Sequence, residues 1–192
     1  MAEIQAATGL EEAVLGNPDA RVSDDIPFLI WAALMAKNGS DRALGLEAAR
    51  AASFTALGGF AHGVQFAATL GEALSFLVRM RNHLADRLQV KFFEADGAAR
   101  VEARHPNDSI DQGRVTEVGT ALIARLLRNA IGVNAAPKAV EFAYAPYGPV
   151  AEYEDFFGCP VQFERGRTAL VYASETLVKP IPTAEPTLFE FV

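Results

Sequence analysis

Metal, thiol and phosphate chemistry each demand particular residues at particular spacings, and this 192-residue chain offers few of them. Its three histidines, His62, His83 and His105, fall in different predicted elements. None stands beside another His, Cys or carboxylate at a ligand spacing such as H-x3-H or C-x2-C. Solvent-facing or hydrogen-bonded imidazoles are expected, and no metal. The single cysteine, Cys159, lies between Gly158 and Pro160 in FFGCPV. A nucleophilic thiol needs a base and a setting that lowers its pKa; neither is nearby in the sequence, so a packed structural thiol is expected. The stretch ALGGFAHG (56–63) lacks both G-x-G-x-x-G and a G-K-[ST] ending and follows helices, which reads as a turn between helices. No G-x-S-x-G elbow and no carboxylate pair stands out. The chain therefore reads as a non-enzyme without a cofactor. Arg79, Arg81 and Arg87 cluster at the end of a predicted helix, where positive charge complements the helix dipole. The functional alternative is that one of them pairs with an anionic ligand.

Composition narrows the class. With 51% hydrophobic and 21% charged residues the chain is globular, one unit or two tightly packed halves. No apolar run approaches the roughly 20 residues that span a bilayer. The opening MAEIQAATGL lacks the basic and apolar regions of a signal peptide, and one cysteine forms no internal disulfide, so the expected compartment is the cytoplasm. Net charge is −7, and 7 of the 17 basic and 10 of the 24 acidic side chains fall in residues 1–87, so no basic half is hidden. On its own this polypeptide is not expected to grip DNA, whose phosphates call for a Lys and Arg excess.

The elements that must position these groups divide at about residue 87. Residues 28–105 contain no proline, a window open to helices. Ser23 or Asp25 caps a helix whose Phe28, Trp31, Ala32 and Met35 share one stripe, ending at Asn38-Gly39. Ser40-Asp41 caps a second, carrying Leu44, Ala48 and Ala51. Thr69-Leu-Gly-Glu72 is a capping box that opens a third over 70–86, with Glu72 reaching back to the N–H of Thr69. After Arg87 the period falls to 2: LQVKFF and Arg100–Arg104 form a hairpin through Asp96-Gly97. His105–Ser109 punctuates, and a helix follows within 110–131, closed by Gly132. Then come a strand at Lys138–Tyr144, a helix from Pro149 to Phe157 stopped by Gly158, and a second hairpin. Its arms are Pro160–Glu164 and Thr168–Ala173, joined by Arg165-Gly166-Arg167. This β-β-α-β-α-β-β order predicts an α+β fold, a helical first half packed with a mixed or antiparallel sheet flanked by helices on one face. Three prolines in Lys179–Pro186 predict a stiff extended exit, and the apolar end (Leu188, Phe189, Phe191, Val192) suggests that the protein continues beyond it.

Several motifs then converge. PDARV (18–22), LGL (44–46), TLGEAL (69–74), FFGCPV (156–161) and PIPTAEP (180–186), in this order and spacing, resemble the N-terminal regulatory domain of AraC-family transcriptional regulators. The most similar group is the one named "arabinose-binding" and found in ornithine-utilisation-type regulators. The resemblance runs from about Gly9 to Pro186. Three positions depart from it: Tyr144 stands in VEFAYAP where the family often has His, Arg79-Met80 where relatives show Arg-Tyr, and Gly58-Gly59-Phe60 where Leu-Gly-Tyr is usual. The resemblance implies a sensor and dimerisation module, residues 1–178 (helical 1–87, α+β 88–178). Residues 179–192 would be a linker toward a DNA-binding domain of two helix-turn-helix motifs that is absent from this chain. It does not imply arabinose: the founding sugar-binding arm is a β jelly roll, which needs many strands where residues 23–86 read helical.

The resulting expectation is a cytoplasmic homodimeric sensor with an unidentified small-molecule effector bound between the halves. It would touch DNA only through the missing domain and have no membrane role. The bulky groups expected where the halves meet are Trp31, Phe54, Phe60, Phe66, Tyr144 and Phe157, with Arg79 or His83 as polar anchors. The alternative is an oligomerisation or partner-binding module without effector, because helix 110–131 is apolar on two sides, Val115/Val118/Leu122/Leu126 and Ile123/Leu127/Ile131.

Overall fold

The computed structural model describes residues 2–15, 17, 20–39, 42–53, 59–132 and 136–191. The first half is helical: α1 (Ala2–Thr8), α2 (Glu12–Leu15), α3 (Asp25–Asn38), α4 (Leu44–Ala51), α5 (Gly59–Phe66), α6 (Leu70–Arg79) and α7 (Arg81–Leu84). The second half runs β1 (Gln89–Ala95), β2 (Ala98–Arg104), α8 (Arg114–Ile131), β3 (Ala139–Glu141), α9 (Val150–Phe157), β4 (Val161–Gln162) and β5 (Thr168–Ala173), and a last turn of helix, α10 (Pro186–Phe189), follows. This is the anticipated α+β fold with a five-stranded mixed sheet, in the order β1-β2-β5-β3-β4, and it is not a jelly roll.

Local signals act where they stand. Asp96 and Gly97 take φ of 53° and 71°, the left-handed pair of a tight hairpin turn, and Gly158 stops α9 at φ 70°. The capping box forms with one change. The Thr69 hydroxyl accepts from the Glu72 N–H at 3.3 Å, but the Glu72 carboxylate reaches the N–H of Ala68, at 2.8 Å, and not that of Thr69. The helix expected over 70–86 is two helices, because Met80 leaves helical geometry (φ −88°, ψ 3°). The Arg81 guanidinium satisfies a carbonyl freed by that break, donating to Val78 O at 3.0 Å. Of the Gly-rich stretch 56–63, the described residues, Gly59 onward, are helix α5 and not a turn. Residues 54–58, among them Phe54 and Gly58, lie outside the described residues, as do Pro18, Asp19, Ser40, Asp41 and Val192. Gly63 serves packing here, since any Cβ on it would collide with the Phe76 ring of α6.

The second hairpin does not form. β4 runs parallel to β3, and β3 lies between β4 and β5, antiparallel to β5. The backbone of β3 is claimed from both sides: Val140 N donates to Pro160 O and Phe142 N to Gln162 O, while Lys138 N donates to Val171 O. The Arg165–Arg167 connection therefore crosses β3 and does not turn tightly. The exit segment also departs from expectation, because it is packed. Thr69 bridges Pro180, Ile181 N donates to Ala68 O at 3.0 Å, Glu185 N to Phe66 O at 3.0 Å, and Ile181 is buried.

Alternation sorts the sheet's two faces. Val90, Phe92, Val101, Leu170, Tyr172 and Val140 face the helices. Lys91, Phe93, Arg100, Glu102 and Glu141 face away, with Arg167 pairing to Glu141 and, at 3.7 Å, to Glu102. Helix α8 is the hub, touching α3, α4, α5, α6, α9, β2 and β5. One core runs through both halves, from Leu46, Val64 and Leu74 to Leu126, Phe142 and Tyr172.

Candidate functional site

Packing is not complete where α8 meets the sheet. A cavity of about 570 Å³ opens there, walled by the start of α3, α7 and the segment after it, the inner faces of β1, β2 and β5, and one face of α8. Its inner walls are mainly apolar, with Phe28, Phe60, Leu77, Val90, Val101, Leu122, Ile123 and Leu170, and carry Asp24, His105, Thr116 and Thr120 among them. Such a volume suits a drug-sized molecule. At the mouth stand two exposed apolar side chains, Val22 (41% exposed) and Leu84 (45%), among Arg21, Asn82, His83 and Asp86.

A clasp built on Asp24 frames that mouth. Its carboxylate, preceding α3, accepts the backbone N–H groups of Asp86 at 3.2 Å and Arg87 at 2.8 Å, and faces His105 Nε2 at 3.4 Å. Burial by itself would raise the Asp24 carboxyl, but the N–H groups of Arg87 and Asp86 and the imidazole hold it below the usual carboxylate range. The His105 ring is almost wholly buried and stacks on Phe28, centroids 4.5 Å apart. Because its Nδ1 accepts from the Asn107 N–H at 3.1 Å, the neutral ring carries its proton on Nε2, toward Asp24. Asp25 adds Arg87 at 2.6 Å and the Asn107 side chain. Three segments remote in sequence, 23–25, 86–87 and 105–107, are thus tied together beside the cavity.

On the opposite wall, Val115, Thr116, Gly119, Thr120, Leu122 and Ile123 of α8 line the cavity, a helical stripe of spacing three and four. The Thr116 hydroxyl donates to Asp108 Oδ1 at 2.5 Å. The Thr120 hydroxyl makes no hydrogen bond among the described residues, although Thr120 is only 7% exposed. The cavity thus takes Val115 and Leu122 from one apolar side of this helix and Ile123 from the other, while Leu126 and Leu127 are core.

A separate polar cluster locks α8 to its neighbours. Glu117, wholly buried, accepts the Tyr153 hydroxyl at 2.9 Å and that of Tyr144 at 3.1 Å. Burial pushes its carboxyl up against the pull of Tyr153, Arg114 and Tyr144. Arg114, also fully buried, donates to Arg42 O at 2.8 Å and lies 3.3 Å over the Tyr147 ring. Asp111 accepts the N–H groups of Gly113 and Val115 at the start of α8, and its carboxyl is pushed up to about 6 chiefly by burial. Any Cβ at Gly45 would strike the Glu117 carboxylate, and any at Gly113, which sits at φ 85°, the Tyr144 ring.

Of the residues named from sequence, Phe60 and His83 line the cavity. Tyr144 belongs to the Glu117 cluster, and Phe157 is core packed on Phe142, centroids 5.9 Å apart. Trp31 is half-buried on α3, outside the lining set, and Phe66 stacks on His62. Arg79 is exposed, its guanidinium 6.0 Å from the Phe76 ring centre. Asp24, His105, Gly119 and Thr120 were not anticipated. No sequence signal marked Asp24 or His105; for the α8 wall the signal was the excess of apolar residues on that helix, of which Val115, Leu122 and Ile123 line the cavity. The Cys159 thiol is half-buried and pushed up to about 11 by burial, which keeps it protonated near neutrality. Among the described residues no group of three or more His, Cys, Asp or Glu is placed to hold a metal ion, and no helix is long and apolar enough to cross a membrane.

Comparison with known proteins bears on what such a cavity is for. No curated protein matches the sequence significantly. Among solved structures, the transcriptional regulator CdpR from Pseudomonas aeruginosa superposes with a TM-score of 0.67 over 98% of this chain at 16% identity, a likeness of fold. The chain spans 59% of that protein's length. The family model described as the arabinose-binding domain of AraC transcription regulators, N-terminal, matches residues 1–181. That match takes in the clasp, the cavity and the whole sheet, and by it the chain belongs to the N-terminal arabinose-binding domain family of AraC transcription regulators.

Proposed function

We propose that this domain senses a small-molecule effector in the cytoplasm and passes its occupancy to a DNA-binding domain of the same regulator. The observation that carries this reading is the cavity of about 570 Å³ at the junction of the helical layer and the sheet. A protein interior is normally packed nearly void-free, so an opening of this size within the domain of a regulator is best understood as a receptor site. The domain binds and does not catalyse: its buried carboxylates, Glu117, Asp111 and Glu141, are held by tyrosines, backbone N–H groups and Arg167 outside the cavity lining. Transmission requires that the effector prefer one of two arrangements. The Asp24 clasp supplies an element to shift, because it joins α3 to the chain on either side of the β1–β2 hairpin at the cavity mouth. With a net charge of −7, the domain leaves DNA contact to the other part of the regulator.

Homodimerisation is part of the same proposal. It is supported by the free edge of β1, seven residues long with Gln89, Lys91 and Phe93 exposed, a template on which a second copy can pair. The test is a promoter-reporter assay with the full regulator, run beside a thermal-shift screen of metabolites on this chain. An effector should raise the melting temperature and change transcription, and both effects should be lost on Phe60→Ala. A regulator whose output is indifferent to every compound that stabilises the domain would refute sensing. Light scattering that finds only monomer at high concentration would refute dimerisation through this domain.

A further inference from the structure

Resting on the sensing reading above, we infer that the effector is an apolar-bodied molecule with a single hydrogen-bonding head, its body lying over Gly119 and its head meeting the Thr120 hydroxyl, and not a sugar. The cavity wall decides the body. A pentose carries a hydroxyl on nearly every carbon, and each one left without a partner in a desolvated site lowers affinity by roughly tenfold. The polar groups of the inner wall are committed already, Asp24 to two N–H groups and His105, Thr116 to Asp108 and Ser23 to Asp25, while the side chains of Arg21, Asn82, His83 and Asp86 line the mouth, where water solvates them. Within the wall of α8 the Thr120 hydroxyl is unengaged among the described residues, one hydrogen-bonding group on a surface of Val, Leu, Ile and Phe side chains. Val22 and Leu84, exposed at the rim, continue that apolar surface outward.

Gly119 supplies the second, independent observation. Glycine is a poor residue for a helix interior, and Gly119 sits within the 18-residue α8. Gly45 and Gly63 are required by close approach, since a Cβ on either would strike Glu117 or Phe76. A Cβ on Gly119 would meet no atom within 4 Å. Packing does not demand this glycine, which is exposed on the open side of the cavity and leaves room there beside the lining residues Thr116 and Thr120. Gly119 is thus a size determinant for the ligand.

The probe for the test is N-phenyl-1-naphthylamine, a neutral apolar fluorophore, titrated into the 192-residue chain. Fluorescence should rise saturably at one site per chain, be displaced by 1-decanol, and be untouched by L-arabinose at a roughly hundredfold excess. Gly119→Phe should weaken the dye at least about tenfold without lowering the melting temperature, since it fills open space and replaces a poor helix former. Gly119→Leu is the smaller block should Phe disturb the fold. Thr120→Val should leave the dye bound while weakening 1-decanol several-fold. Dye binding that is equal in the wild type and both Gly119 variants would overturn the proposal, and so would absence of dye binding. Saturable arabinose binding that Gly119→Phe abolishes would overturn the ligand class while leaving sensing intact, which the reporter assay judges separately.

Discussion

Replacing Asp24 by Ala removes the carboxylate on which the clasp depends. Two backbone N–H groups, of Asp86 and Arg87, and the Nε2–H of a ring that is 2% exposed lose their acceptor together. The two N–H groups lie on exposed residues where water replaces the lost partner, so each is worth about 1 kcal/mol, at the low end for a bond to a charged group. The stranded imidazole adds about 1 kcal/mol more, its bond being long at 3.4 Å. The loss is therefore about 3 kcal/mol, or a melting temperature lower by roughly 6–12 °C for a domain of this size. Asp24→Asn, which keeps one acceptor oxygen, should fall between. The carboxyl is held below its ordinary value, so its contribution is present above that value and disappears as pH falls through the lowered one. Thermal unfolding followed by circular dichroism measures the first quantity. Amide hydrogen exchange measures the second consequence, faster exchange at Asp86 and Arg87 while the core strands stay protected. As a control, breaking the exposed Lys37–Glu3 pair with Glu3→Ala should leave the melting temperature unchanged. A variant at Asp24 that melts within a degree of wild type, with both amides still slow, would refute the account of the clasp.

Other perturbations separate local from packed effects. Gly119→Ala should stabilise by about 1 kcal/mol, a rise of roughly 2–4 °C, because the methyl meets open space. Gly63→Ala gains the same helix propensity but drives a methyl into the buried Phe76 ring, and overpacking of about 1–3 kcal/mol should leave it melting below wild type. Asp111, raised from 3.8 to about 6, favours the folded state fully below its ordinary value and loses that contribution as pH rises through about 6. The gap corresponds to about 3 kcal/mol, so urea midpoints should fall between acid and neutral pH in the wild type and fall less in Asp111→Asn. Cys159, with its thiol near 11, should react with iodoacetamide at neutral pH roughly a hundredfold more slowly than a free cysteine; a rate like that of a free thiol would show that the half-buried setting is not what the wild-type chain adopts.

Legibility in the sequence followed the range of the forces. The Thr69 cap, the Asp96-Gly97 turn and the Gly158 stop each depend on a few adjacent residues, and each forms where the sequence places it. The β-β-α-β-α-β-β order followed from period and punctuation for the same reason, although β3 is shorter than Lys138–Tyr144. Sequence proximity favours a hairpin of β4 and β5, whereas the two strands flank β3, which takes its partners on each side from β4 and β5, well downstream in the chain.

The site shows the same division. Bulky aromatics were the natural sequence candidates for a pocket, yet Phe157 and Tyr144 fill the core beside Phe142 and Glu117. What lines the cavity includes residues whose type carries little signal, a glycine, two threonines and short aliphatics on a β-hairpin. From the sequence alone came the fold class, the helical first half, the lack of an excess of basic residues and the family resemblance, all of which rest on composition, periodicity and short motifs. Only the tertiary structure decided where the empty volume lies and that Asp24, Arg87 and His105 meet beside it. A cavity is the space that many distant side chains fail to fill, and no segment of the chain carries that information by itself.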